Sequence, residues 1–214
     1  MSRDWHAWHA EYDDPGSSLS RRLDVVRAQL TSLLTDAAEP VRLLSLCAGD
    51  GRDTVPVLAS TPARVTAVLV ELDPELADTA RASAHARGLR DVEVRTADAG
   101  TTSSCADAVP ADVLMACGIF GNVTDADVAR TVATLPSLLA PGAHVIWTRG
   151  CRVPQDPTEV VGDPSQAVRD HFADAGFEEV AFVRPDDASY RVGVHRWPRP
   201  GLPFRSGVRM FSFV

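Results

Sequence analysis

Lysine is absent from this 214-residue chain: all 21 residues counted as Lys or Arg are arginines. A lysine Schiff base, a lysine-anchored pyridoxal phosphate and a P-loop are therefore excluded, since each needs a primary amine. Paired cysteines are missing too. Cys47, Cys105, Cys117 and Cys151 include no C-x-x-C pair, so neither a zinc site nor a disulfide frame is expected, and the thiols are read as reduced. No apolar run approaches the roughly 20 residues of a membrane span. The opening Met1-Ser2-Arg3-Asp4-Trp5-His6 has no apolar signal core, so a cytoplasmic protein without a membrane partner is expected. Positive charge is in deficit: 21 arginines face 29 acids, for a net charge of −8. That argues against DNA or RNA as a partner, because affinity for a phosphate backbone rests on clustered cations.

What is present is globular in composition, 45% hydrophobic and 23% charged, and of a length that suits one domain. Residues 1–17 read as a separate arm carrying Trp5, His6, Trp8, His9 and Tyr12 ahead of the breaker Asp13-Asp14-Pro15-Gly16. Residues 18–214 read as the domain. Leu19, Leu23, Val26, Leu30 and Leu33 recur at helical spacing, with Ser17 or Ser18 as cap. After Pro40, strands are predicted at Val41 to Cys47, Val65 to Val70, Val92 to Thr96, Ala111 to Ala116 and Ala143 to Thr148. Helical stretches lie between them: one to about Ser60, one from Pro74 to Arg87 with Gly88 as its stop, and part of Asp125 to Leu139. That alternation predicts a doubly wound, mostly parallel α/β sheet. In the last third, Pro164 to Ala175 reads as a helix, Phe177 to Val183 as a strand and Tyr190 to Trp197 as strand or extended loop. Val208 to Val214 alternates and is expected to be a closing strand, antiparallel to its neighbour.

Ligands of open α/β sheets collect beyond the carboxyl ends of the strands, and the unusual residues fall at those ends. They are Cys47-Ala48-Gly49-Asp50-Gly51, Glu71-Leu72-Asp73, Asp98-Ala99 and Cys117-Gly118. Glycines allow a tight turn and close backbone approach to a ligand. An acid about 20 residues beyond such a turn can accept both hydroxyls of a ribose. Together these features suggest a nucleoside site, against the plainer reading of a structural corner and polar strand ends.

Leu43-Leu44-Ser45-Leu46-Cys47-Ala48-Gly49-Asp50-Gly51-Arg52-Asp53 resembles the first motif of the class I S-adenosylmethionine-dependent methyltransferases. Val68-Leu69-Val70-Glu71-Leu72-Asp73-Pro74 resembles their second strand and its acid, and Arg95-Thr96-Ala97-Asp98-Ala99 their adenine-edge segment. The resemblance implies a Rossmann-like seven-stranded sheet with a reversed C-terminal strand, and S-adenosylmethionine as cofactor. It would place Gly49 and Gly51 along the methionine and ribose portion, Glu71 on the ribose hydroxyls and Asp98 on the adenine amino group. Cys117-Gly118 would present backbone near the sulfonium, with Cys47, Ala48, Leu72 and Ala99 lining the same motifs. The family commonly has an acid where this chain has Ser45 and a glycine where it has Cys47, so Asp50 or Asp53 is expected to replace the acid. A Rossmann dehydrogenase is the rival, but its third glycine would fall at Thr54.

The expected reaction is methyl transfer to a nitrogen or oxygen of a small molecule. A cyclase or lyase releasing methylthioadenosine and a non-catalytic cofactor-binding module stay open. Ile119-Phe120-Gly121-Asn122-Val123 lacks the Asn/Asp-Pro-Pro-aromatic sequence of amino-methylating nucleic-acid enzymes. Asn122 can orient a substrate or simply shape a turn. A helical arm would put Trp5, Trp8 and Tyr12 on one face, either as a lid or as packing, with His9 or Tyr12 as candidate base. His6, His9 and Asp13 have metal-compatible spacing, but no further ligand can be named and no metal is expected. Arg149 can bind a substrate carboxylate or form an edge ion pair; His195 has no assigned role.

Overall fold

The computed structural model describes residues 11–37, 40–151 and 162–214. Trp5, His6, Trp8 and His9 therefore lie outside the described residues. A short 3-10 turn, Glu11–Asp13, precedes the first long helix. Asp14 closes the bend, its side chain accepting the Gly16 amide at 2.9 Å and its carbonyl the Ser17 amide at 3.0 Å. Ser17, in extended backbone, then caps α1 (Ser18–Thr35) by accepting the Ser20 amide at 3.0 Å. The buried residues of α1 are Arg22, Val26, Leu30 and Leu34, a single stripe at every fourth position with a cation at its head.

Seven strands follow: β1 (Val41–Leu46), β2 (Val65–Glu71), β3 (Val92–Thr96), β4 (Ala111–Ala116), β5 (Leu139–Gly150), β6 (Glu178–Val183) and β7 (Tyr190–Arg196). Between them lie α2 (Val55–Ser60), α3 (Pro74–Ala86), α4 (Asp125–Thr134) and α5 (Ser165–Ala175). The sheet order is β3-β2-β1-β4-β5-β7-β6. β1 to β5 run parallel, and β7 is antiparallel to both of its neighbours. The order turns back on itself between β1 and β4, which is where a doubly wound sheet opens a crevice.

Both faces of the central strands are covered, because successive side chains point to opposite sides. Leu43, Leu69, Met115 and Ile146 pack with Leu30 and Leu34 of α1 on one face. Leu44, Val70, Leu114 and Trp147 pack with Val132 of α4 and Phe172 of α5 on the other. Each fully buried leucine contributes about 1.5–3 kcal/mol. The junction of β5 with β7 depends on one small residue. Trp147 lies opposite Gly193, and a Cβ there would sit 2.2 Å from the indole Cε2. The indole N–H donates to Nδ1 of buried His195 at 3.0 Å, and burial lowers the pKa of that imidazole to about 4. His195 is a neutral acceptor in the core.

One expectation is corrected. Val208 to Val214 is no strand; it makes only isolated bridges, Thr101 with Arg209 and Val123 with Phe213. Met210 and Phe211 are both buried although consecutive, which a one-faced strand forbids. The Met210 amide goes to the Gly100 carbonyl (2.8 Å) and the Val214 amide to the Asn122 carbonyl (3.1 Å), so this tail is a strap across the carboxyl ends of the strands. The reversed strand is Tyr190–Arg196, inserted between β5 and β6. The stretch after Asp125 is helical in part, as expected: α4 ends at Thr134, a 3-10 turn holds Leu135–Ser137 around Pro136, and Leu139 already belongs to β5. Among the described residues no helix is long and apolar enough to cross a membrane.

Candidate active site

The turn after β1 is built on left-handed backbone: Cys47 has φ +53°, Gly49 +56° and Gly51 +74°. A non-glycine residue in that region costs roughly 1–2 kcal/mol. Cys47 bears this strain at the position where the family it resembles commonly has glycine. Gly51 serves packing, because a Cβ there would lie 2.9 Å from Val55 Cγ2 and 3.3 Å from Ala80 Cβ, jamming α2 and α3 against the turn. Glu71, at the end of β2, closes the arrangement. Its Oε2 accepts the Gly49 amide at 2.7 Å and its Oε1 the Asp73 amide at 2.8 Å, and the residue is only 8% exposed. A carboxylate has about four acceptor positions, so Glu71 retains capacity for a ligand.

A cavity of about 260 Å³ opens over this turn. Cys47, Ala48, Gly49, Asp50 and Asp53 line it from the first turn, Glu71 and Leu72 from the second, Cys117 and Gly118 from the third. Gly51, Asp98 and Ala99 are not part of the wall. The Asp98 carboxylate accepts from the Gly100 amide (2.8 Å) and from Arg209 of the strap (2.5 Å), while Ala99 is packed in the core. Tyr12 reaches the cavity from the end of the arm. Its ring lies 4.4 Å under the Arg52 guanidinium, and its hydroxyl accepts from Arg22. Burial raises the Tyr12 pKa, against the opposing effect of Arg22, so the phenol holds its proton at neutral pH. Burial also raises Asp53, against a hydrogen bond from the Thr54 hydroxyl. Burial, reinforced by Glu71 beside Cys47 and by Asp53 beside Cys117, pushes both thiols up and keeps them un-nucleophilic.

A second cavity of about 470 Å³ adjoins the first, and Arg22 and Gly118 belong to both walls. Gly118 has φ +77°, and nothing lies within 4 Å of where its Cβ would be. Ser18 of α1, Thr148 and Arg149 of β5, Tyr190 of β7 and Asn122 form part of this second wall. Asn122 donates its amide to the Gly118 carbonyl at 2.7 Å, and Thr148 accepts the Gly118 amide at 2.8 Å. Both fix the glycine that joins the cavities. Sequence reasoning missed Arg22, Leu76 and Phe213 as lining residues, and gave Arg52 and Asp73, though within its motifs, no role of their own. Arg22 had a signal: it is a charge in register with Val26, Leu30 and Leu34 on the buried stripe of α1. Phe213 had none, because the strap that carries it was read as a strand. Among the described residues no group of three His, Cys, Asp or Glu could hold a metal.

The strand order, the reversed β7 and the crevice at the β1/β4 switch define a Rossmann-like α/β domain of the class I methyltransferase kind. The sequence agrees with that fold: residues 43–142 match a family described as methyltransferase domain. No curated protein sequence matches. Among solved structures, the fold is similar to magnesium protoporphyrin IX methyltransferase (ChlM) from Synechocystis PCC 6803 with bound SAH. The TM-score is 0.67 and the identity 12%, over 90% of this chain and 93% of that one. It is also similar to an O-methyltransferase family 2 protein from Planctomyces limnophilus DSM 3776 in complex with apigenin. There the TM-score is 0.63 and the identity 20%, over 92% of this chain and 62% of that one. The [4+2]-cyclase SpnF matches at TM-score 0.57 and 17% identity, over 79% of this chain and 81% of its own.

Proposed function

We propose that the chain is an enzyme that transfers a methyl group from S-adenosylmethionine to a nitrogen or oxygen of a small molecule. The observation that carries this is the meeting of two cavities at Gly118, one with the donor set of a nucleoside site and the other with room for an acceptor. The donor set fits the cofactor. Glu71 would take the ribose hydroxyls, Asp53 the ammonium and Arg22 the carboxylate. Leu72 and Phe213, 63% and 42% exposed, would lie against the adenine ring. Ala48, Gly49 and Asp50 would shape the turn around the cofactor, with Cys47 and Cys117 as apolar wall. Asp98 would reach the adenine edge only by exchanging Arg209 for it, and Gly51 and Ala99 would act from behind the wall.

When bound, the cofactor supplies a methyl group already activated by its sulfonium. The protein then has to align donor and acceptor and keep water out. Gly118, held by Asn122 and Thr148, leaves the junction open for that approach, so Asn122 is a positioning residue in this reading. Tyr12 donates or accepts a hydrogen bond as a protonated phenol, and His9 is the remaining candidate base. The arm would close over the first cavity through Tyr12.

The test is to incubate the pure protein with S-adenosylmethionine, with and without a panel of small amines, phenols and carboxylic acids. Mass spectrometry should find adenosylhomocysteine only when an acceptor is present. Methylthioadenosine from cofactor alone would replace this reading with the cyclase or lyase one. No turnover alongside intact cofactor binding would leave a binding module.

A further inference from the structure

The second cavity carries charge of one sign. Its described wall includes Arg22 and Arg149 and no carboxylate, in a chain of net charge −8. Arg149 stands near the end of β5, and its Nε and Nη1 are buried without a hydrogen-bond partner. No described acid forms an ion pair with it; Asp125 acts on it only through space. Among the described residues, the two buried arginines are engaged. Arg191 donates to Asp163 and to the carbonyls of Pro185, Ala188 and Tyr190, and Arg22 donates to Tyr12. Buried guanidinium nitrogens left unsatisfied are costly, and a native chain that keeps them calls for an explanation. Arginine's planar fork is matched to the two oxygens of an oxyanion.

We infer that the methyl acceptor carries a carboxylate, which Arg149 binds in the second cavity so that the acceptor atom is turned toward Gly118. A phosphate monoester presents the same oxygen edge, and the experiment separates the two. The acceptor half of this statement rests on the methyl-transfer reading above; the anion half rests on Arg149 alone.

The test uses the full chain, with and without saturating S-adenosylhomocysteine, and reads ligand-observed NMR and thermal shift. The probes are benzoate, indole-3-acetate and phenyl phosphate, with benzamide and indole-3-acetamide as neutral controls. The carboxylates should bind and raise the melting temperature, and the amides should not. Arg149→Gln should weaken carboxylate binding about tenfold or more, the loss expected for a charged hydrogen-bonding pair. S-adenosylhomocysteine affinity should stay unchanged, which also shows that the variant is folded. Arg149→Met should raise the melting temperature without any anion, because it removes the unsatisfied group, and should abolish the anion-dependent rise. Equal binding of acids and amides, or carboxylate binding that survives both substitutions, overturns the proposal. Arg149-dependent binding of phenyl phosphate alone overturns the carboxylate in favour of a phosphate. Failure of S-adenosylhomocysteine to bind the wild type, with Arg149-dependent carboxylate binding intact, overturns the acceptor half and the methyl-transfer reading together.

Discussion

The two cavities that meet at Gly118 treat charge in opposite ways. In the first, Asp50, Asp53, Glu71 and Asp73 share the wall, and the key acid is satisfied by the protein itself through the amides of Gly49 and Asp73. In the second, Arg149 is left with buried nitrogens that nothing described satisfies. The difference follows from construction. The first is made of backbone turns at adjacent strand ends, so its donors and acceptors are organised before any ligand arrives. The second is assembled from side chains of α1, β5, β7 and the turn after β4, and its charge waits for a counter-charge.

The largest effect expected is at the junction. Gly118→Val places a branched side chain at φ +77° in open space shared by both cavities. Turnover should fall by at least about a hundredfold, from backbone strain and blocked approach together. Retained turnover, measured by adenosylhomocysteine release, would show that the cavities work independently. Next, Glu71→Ala should weaken S-adenosylmethionine tenfold or more by calorimetry, since charged hydrogen bonds are worth about 1.5–3 kcal/mol each. Unchanged affinity would remove the first cavity from the nucleoside reading.

Asp53→Asn separates stability from binding. Burial raises the Asp53 pKa, so the folded state carries a penalty for the ionised form at neutral pH. That penalty is relieved as pH falls through the raised folded value, because folded Asp53 protonates before the unfolded one does. The variant should therefore be more stable than wild type near pH 7, with the gap closing as pH falls through the raised folded value. Its cofactor affinity should drop several-fold. A stability gap that does not depend on pH in denaturant titrations would refute the assignment. The smallest effect concerns Arg209, which pairs with Asp98 at a half-exposed site worth at most about 1 kcal/mol. Arg209→Ala should tighten S-adenosylhomocysteine by up to about fivefold if freeing Asp98 for adenine is what limits it. Weaker binding would assign the strap a supporting role instead.

The legible parts of the site were local. Gly49 and Glu71 announced themselves because a left-handed turn needs glycine and a strand must end where its β-branched run meets an acid. Cys47 shows the limit of that logic: its thiol gives no sequence sign of its positive φ. Arg149 was visible at a strand end, but its lack of a partner was not, since that depends on which residues fold near it. Val208 to Val214 misled for the same reason. Alternation there comes from a strap that buries Met210 and Phe211 in succession and spends its amides on loops.

The sequence by itself determined the alternation of helix and strand, the turn from Cys47 to Gly51, the acids at the strand ends and the exclusion of lysine chemistry. Those follow from neighbours a few residues apart, through periodicity, capping and the backbone freedom of glycine. Only the tertiary structure decided that β7 enters the sheet between β5 and β6, that the strap brings Phe213 to the first cavity, and that Arg22 of α1 comes to share the second with Arg149 of β5. Each depends on surfaces distant in sequence fitting together, as Trp147 fits over Gly193, and on charges whose partners are chosen only once the chain has closed.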